Sequence, residues 1–203
     1  LKKLIDRPLL AYSIFIALSI PRISKVFVST ECEKIRKVAR AYGADVIHRP
    51  PELAEDETPE WLAWQHAVNW VNSKYGEFDQ FLSLPCTAPL RIVDDVVKCL
   101  DNFEIGDSEM VISITEAHRS PWFNMVTEDS NKYLNVVINA SETIYCRQKA
   151  PAVFDMTTVA YVTSPDFIIK KNSIWDGRVK GVIIPKERSI DIDDAFDFNI
   201  AEF

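Results

Sequence analysis

No two of the four cysteines stand in a C-x-x-C pair: Cys32, Cys86, Cys99 and Cys146 are far apart. The three histidines, His48, His66 and His118, are equally scattered. A zinc site needs such ligands in clusters, so the pattern argues against one and reads as reduced thiols in a cytoplasmic protein. Long apolar runs are missing too. The stretch from Leu9 to Ile20 is broken by Tyr12 and Ser13 and falls short of the roughly 20 residues of a membrane span. No secretory leader, internal repeat or low-complexity segment is visible. Basic charge is not in excess either. A net charge of −7 argues against a general nucleic-acid or membrane-surface binder, while leaving room for a local basic pocket.

What remains is a chain of 203 residues, 47% hydrophobic and 26% charged, long enough for one substantial core. Pro8 followed by LLAYSIFIALS predicts a helix with proline in its first turn. KVFVS, from Lys25 to Ser29, predicts a β-branched strand. Thr30 and Glu33 form a capping-box pattern opening a helix that runs to Gly43. ADVIHR is a second strand. Thr58 is expected to N-cap a helix whose first residue is Pro59. In that helix Trp61, Trp64, Val68 and Val71 recur at helical spacing, which makes the tryptophans core and not a ligand cage. DQFLSL and EMVISIT predict strands, with a helix between them over Ile92 to Phe103. TTVAYV and KGVIIP add strands around a helix opening at Ser164-Pro165.

This alternation predicts an α/β fold with a mostly parallel sheet covered on both faces. It breaks down from Pro121 to about Phe154, a segment expected to hold short β pieces or loops and to form either a subdomain or a dimer arm. Ligands in open α/β sheets bind at the carboxyl ends of strands, and those ends carry Ser29-Thr30, His48-Arg49, PCTAPLR and the terminal SIDIDDAFDF.

That last stretch crowds Asp191, Asp193, Asp194 and Asp197 together, which is costly unless water, a helix N-terminus or a cation offsets the repulsion. In an extended segment Asp191 and Asp193 share one side while Ile190 and Ile192 are buried. Two carboxylates so placed suit one Mg²⁺ with substrate phosphates. Alternatively Asp193 only N-caps the terminal helix while Asp194 and Asp197 are solvated. Both readings stand on these residues alone. Arg49 is either a phosphate or base contact or a solvated loop arginine. TAPLR either presents backbone N–H groups at a helix start or is an ordinary turn. Arg147-Gln148-Lys149 either holds a carboxylate or is exposed, and Tyr161 either lines a pocket or packs.

Taken in order, RPPELAEDET, PCTAPLR, TEAHRSP, RQKAPAVF and SIDIDDAFD resemble the acylneuraminate cytidylyltransferases, which activate sialic acids and related nine-carbon sugar acids as CMP-sugars. The match runs over nearly the whole chain. The resemblance implies a Rossmann-like nucleotidyltransferase fold spanning residues 1–203, Mg²⁺ dependence, and a homodimer whose arm, at about 121–154, completes the partner's site. It implies CTP and an acid sugar as substrates. Arg49, Asp56 and Thr58 match the nucleotide-binding loop, and Arg147 matches a basic residue near the sugar carboxylate. Tyr161 and Trp175 fall where aromatics surround the sugar, Trp175 reaching across the dimer. Asp191 and Asp193 match the catalytic, metal-binding pair.

The sequence departs from the family pattern at Pro85-Cys86, at Phe123 and at Asp155-Met156-Thr157-Thr158, all on the acceptor side. The family's basic, glycine-containing phosphate loop ends just before a segment like LKKLIDRPLL, so residues upstream of Leu1 are expected. Alternatives are transfer to another acid sugar, such as a 3-deoxy-octulosonate, or a non-catalytic nucleotide-binding homologue.

Overall fold

The computed structural model describes residues 2–139, 144 and 146–203, the side chain of Arg147 excepted. A short antiparallel pair, β1 (Lys3–Leu4) and β2 (Arg7–Pro8), leads into α1 (Leu9–Leu18). There follow β3 (Phe27–Thr30), α2 (Glu33–Ala41), β4 (Asp45–His48), α3 (Glu60–Tyr75), β5 (Phe81–Ser83), α4 (Val93–Ile105) and β6 (Met110–Glu116). After β7 (Val126–Glu128) and β8 (Leu134–Val136) come β9 (Phe154–Thr163), α5 (Pro165–Lys170), β10 (Val179–Ile183) and α6 (Ala195–Glu202). Among the described residues no helix is long and apolar enough to cross a membrane.

The α/β class is as expected, and the sheet is mixed. β10, β6, β9 and β5 are hydrogen-bonded in that order. β10 runs parallel to β6, whereas β9 runs antiparallel to both β6 and β5. Three strands therefore share one direction and β9 alone opposes them. β3 and β4 form a separate parallel pair. The reversal accords with the segment before β9, whose described residues hold no helical crossover of the kind a parallel strand needs.

Strand alternation sends β6 into two cores. Val111 joins Ile16 of α1, Ile20 just after it, and Val96, Cys99 and Leu100 of α4 with Val159, Val162 and Ile184. Met110 and Ile112 join Trp61, Trp64 and Val68 of α3, Tyr161 of β9 and Phe167 and Ile168 of α5 on the other face. The tryptophans are core, as their spacing predicts: Trp61 donates its indole N–H to the Lys171 carbonyl at 2.8 Å, pinning α3 to the end of α5. α1 packs on both β units, because Ile14 lies with Ala39, Ala44 and Val28 while Ile16 and Ile20 face the larger sheet.

Two expected caps differ. Thr30 Oγ1 accepts from the Cys32 N–H at 3.1 Å and takes no part in a capping box, since the α2 N-cap is Cys32. Thr58 donates its hydroxyl to the Glu52 carbonyl at 2.9 Å, closing the preceding loop, and Pro59 itself occupies the N-cap position of α3. In both cases the hydroxyl finds a nearer local partner than the helix offers. α2 does end as foreseen, with Gly43 at a φ of 92° in the left-handed region.

Met110 is completely buried between the two sheet neighbours of β6 and the α3–α5 layer. Met110→Ala is expected to cost about 2–5 kcal/mol of unfolding free energy, measured by the shift in a chemical denaturation midpoint.

Candidate active site

The loop after β5 is organised by one buried side chain. Arg91, 3% exposed, donates from Nη1 to Ser13 Oγ of α1 at 2.6 Å. Its Nη2 donates to the Pro85 carbonyl and to the Thr158 carbonyl of β9 at 2.9 Å. Ser13 in turn donates to Pro85 O at 3.2 Å. Burial lowers the Arg91 pKa to about 10, while the Asp191 and Asp95 carboxylates act against that drop; the side chain therefore remains a cation at neutral pH.

Thr158 reaches Arg91 because β9 bulges there. Ile112 pairs with Tyr161 and Ile114 with Met156, so Ser113 alone faces residues 157–160. The Ser113 hydroxyl fills the gap, accepting from the Ala160 N–H at 3.0 Å and from Thr157 Oγ1 at 2.8 Å. A bulge re-aims side chains at a sheet's functional edge, and here Thr87 Oγ1 meets Thr158 Oγ1 at 3.3 Å. The bulged residues 157–160 overlap the stretch Asp155–Thr158 singled out in the sequence.

The aspartate segment is tied to the same loop: the Ile192 N–H donates to the Thr87 carbonyl at 2.8 Å, and Ile192 packs beside Leu4 and Phe198. The four carboxylates then divide. Asp194, and not Asp193, is the N-cap of α6, accepting from the N–H groups of Phe196 at 2.7 Å and Asp197 at 3.0 Å. Asp197 completes a capping box by accepting from the Asp193 and Asp194 N–H groups at 3.1 and 3.2 Å. That leaves Asp191 and Asp193 either side of Ile192. Asp193 is exposed. Asp191 is half-buried, with Oδ1 inaccessible and without a hydrogen-bond partner. Its charge is felt by Arg91, Cys86 and Tyr161.

At the ends of β3 and β4, Ser29 Oγ and Arg49 Nε are likewise buried and unpartnered. Arg49 Nη2 makes an ion pair with Glu31 at 3.3 Å and lies in the field of Glu60. Asp56 is exposed in the loop that Thr58 closes. Tyr161 is 7% exposed, its ring 5.6 Å from that of Trp64, and burial pushes its phenol up to about 12. Of its two readings, packing describes the ring. Trp175 lies in a short turn, Ile174–Asp176, and is 65% exposed. Arg147 opens the turn Arg147–Lys149; its side chain lies outside the described residues. A cavity of about 250 Å³ opens beside that turn, lined by Glu116, Ser120, Ala152 and Phe154.

Sequence reasoning brought Asp191 and Asp193 together and missed Arg91 and Thr158. Arg91 is visible in TAPLR, but its role depends on a burial that the motif does not carry.

A family model described as cytidylyltransferase matches residues 1–61. Over the whole chain, and 86% of the relative in each case, the sequence is 28% identical to a post-translational flagellin modification protein B of Campylobacter coli and 29% identical to a CMP-N,N'-diacetyllegionaminic acid synthase of Campylobacter jejuni. It is 28% identical to an N-acylneuraminate cytidylyltransferase of Escherichia coli over 98% of this chain, spanning 46% of that longer relative. Along its whole length the chain is thus similar to proteins named as cytidylyltransferases and CMP-sugar synthases. The fold agrees. A 4-diphosphocytidyl-2C-methyl-D-erythritol synthase from Anaerococcus prevotii superposes with a TM-score of 0.67 at 12% identity, covering 98% of this chain and 90% of that one. A CMP:2-keto-3-deoxy-manno-octonic acid synthetase complexed with CTP gives 0.62 at 13%, covering 91% and 83%.

Asp194→Ala removes both cap bonds of α6. It is expected to cost about 0.5–2 kcal/mol, read from thermal unfolding, and amide hydrogen exchange should confine the loss of protection to α6, beginning at its first turn.

Proposed function

We propose that this cytidylyltransferase transfers CMP from CTP to a sialic-acid-like 2-keto sugar acid of the class that includes N-acylated nine-carbon acids, releasing pyrophosphate. The observation that carries the reading is Asp191: a buried, unpartnered carboxylate oxygen beside an exposed Asp193, on a segment bonded to the loop after β5. An orphaned carboxylate oxygen is costly unless a ligand completes it. Two carboxylates on one side of an extended segment suit Mg²⁺, which prefers one or two protein carboxylates and takes its other ligands from water and phosphate. Mg²⁺ held by Asp191 and Asp193 would neutralise charge on the phosphates.

The chain's own residues do the rest by position. The sugar's anomeric hydroxyl attacks the α-phosphorus of CTP, and the bond to the pyrophosphate oxygen breaks; such transfer needs alignment and charge stabilisation more than a nucleophilic side chain. Arg49, with its free Nε, and the loop from Asp56 to Thr58 hold the nucleotide. Arg147 grips the sugar carboxylate, for which its planar fork is suited. Tyr161 floors the acceptor side from the core, and Trp175 meets it from the second protomer of a homodimer joined through residues 121–154. Phe123, Met125, Val126, Tyr133 and Leu134 are exposed there, which favours association. The relatives named for diacetyllegionaminic acid and acylneuraminate support this acceptor class, and a cytoplasmic site of action follows from its nucleotide donor.

Pyrophosphate release is expected with CTP, Mg²⁺ and a nine-carbon 2-keto acid, and not with purine triphosphates. Asp193→Asn should lower kcat/KM by roughly 10²-fold while leaving the unfolding midpoint within about 0.5 kcal/mol. Faster turnover of a 3-deoxy-octulosonate would move the acceptor to that class, and full activity of Asp193→Asn would remove the metal from the reading.

A further inference from the structure

Asp95 is fully buried and carries a charge that the reaction, as described above, does not use. It is the third residue of α4, and its Oδ2 accepts from the Ile92 N–H at 3.1 Å, capping that helix. Arg188 then closes on both oxygens: Nε donates to Oδ2 at 2.9 Å and Nη2 to Oδ1 at 3.0 Å. Paired forks of this kind fix direction as well as distance. Arg188 is the last residue of a single turn, Lys186–Arg188, that follows β10. Ser189 to Asp193 start immediately after it, with neither helix nor strand to set their course.

Between the Arg188 clasp and the α6 cap, the backbone bond from Ile192 to Thr87 spans the same loop from the other side. The segment is thus held at Arg188, at Ile192 and at Asp194, and Asp191 lies between the first two points. Arg91 sits under the same carboxylates, feeling both Asp95 and Asp191. Asp95 therefore has two partners of its own, while Asp191 keeps an oxygen free.

We infer that the Arg188–Asp95 pair is a positioning device that sets the Asp191–Asp193 carboxylates for a divalent cation by clamping the start of their segment to the N-terminus of α4. The inference rests on the reading of Asp191 and Asp193 as cation ligands. It asks of Arg188 only direction, since Nε and Nη2 are both engaged by Asp95. A lysine at this position keeps the charge but loses the two-bond fork, so it should hold the segment less well than arginine and better than glutamine.

The test uses the full chain with CTP and Mn²⁺, following cation binding in the nucleotide complex by water-proton relaxation, alongside thermal unfolding and the Mg²⁺ dependence of turnover. Arg188→Gln should weaken Mn²⁺ binding by about tenfold, the lower end of the range for residues that orient metal ligands, and Arg188→Lys by a smaller factor. The Mg²⁺ half-saturation should rise in the same order, with CTP affinity in the absence of metal unchanged. All measurements are made at least 20 °C (roughly five times the shift expected per kcal/mol) below each unfolding midpoint. Should Arg188→Gln fold poorly, Arg188→Lys carries the comparison. Asp193→Asn is the control. If it abolishes Mn²⁺ binding while both Arg188 variants bind as wild type, the positioning role is overturned and the pair is purely structural. If Asp193→Asn also binds Mn²⁺ normally, the cation reading itself falls.

Discussion

Three oxygen acceptors, the Ser13 hydroxyl and the Pro85 and Thr158 carbonyls, converge on the guanidinium of Arg91. Through it, α1, the loop after β5 and the bulged part of β9 share one cation. Taking a cation out of water is expensive, and it persists only where hydrogen bonds and opposite charge offset the desolvation. Neutral acceptors supply the bonds here, while Asp95 and Asp191 supply the opposite charge without either forming a close ion pair with it. This constraint sets the backbone of Pro85 and Thr158, and the Thr87 carbonyl that holds Ile192 follows from it.

The crowding of aspartates at the end of the chain is resolved by division of labour. Asp194 and Asp197 satisfy N–H groups at the start of α6, where a helix N-terminus favours negative charge. Each neutral donor they accept from lowers the penalty of placing two further carboxylates upstream. Repulsion along the segment is thereby tolerated without any basic side chain between the aspartates, and the oxygen of Asp191 stays unpaired.

Much of this was legible in the sequence, for a physical reason: helices and strands are written in local periodicity. The Trp61–Trp64–Val68 spacing, the Ser164-Pro165 start of α5 and Gly43 at the end of α2 all depend on a few neighbouring residues. The Thr30 and Thr58 caps went astray because a hydroxyl has several acceptors within reach and the sequence does not rank them. The direction of β9 and its bulge were illegible for a different reason. The direction depends on the segment before β9, and the bulge on Ser113, which sits in another strand and bonds across the fold. At the site the same distinction holds. Asp191 and Asp193 stand close together in SIDIDDAFDF and can be picked out locally, whereas Arg91 and Arg188 act on residues far away along the chain.

The β7–β8 hairpin pairs only with itself, from Val126 opposite Val136 to Glu128 opposite Leu134, and none of those paired residues is buried. Its sequence is therefore thermodynamically decoupled from the core of its own chain. Substitution or lengthening there carries little folding penalty, unlike any change at Ser113 or Arg91. Folding of the single chain therefore places little demand on the hairpin, and any constraint on Val126, Tyr133 and Leu134 comes from the surface they present.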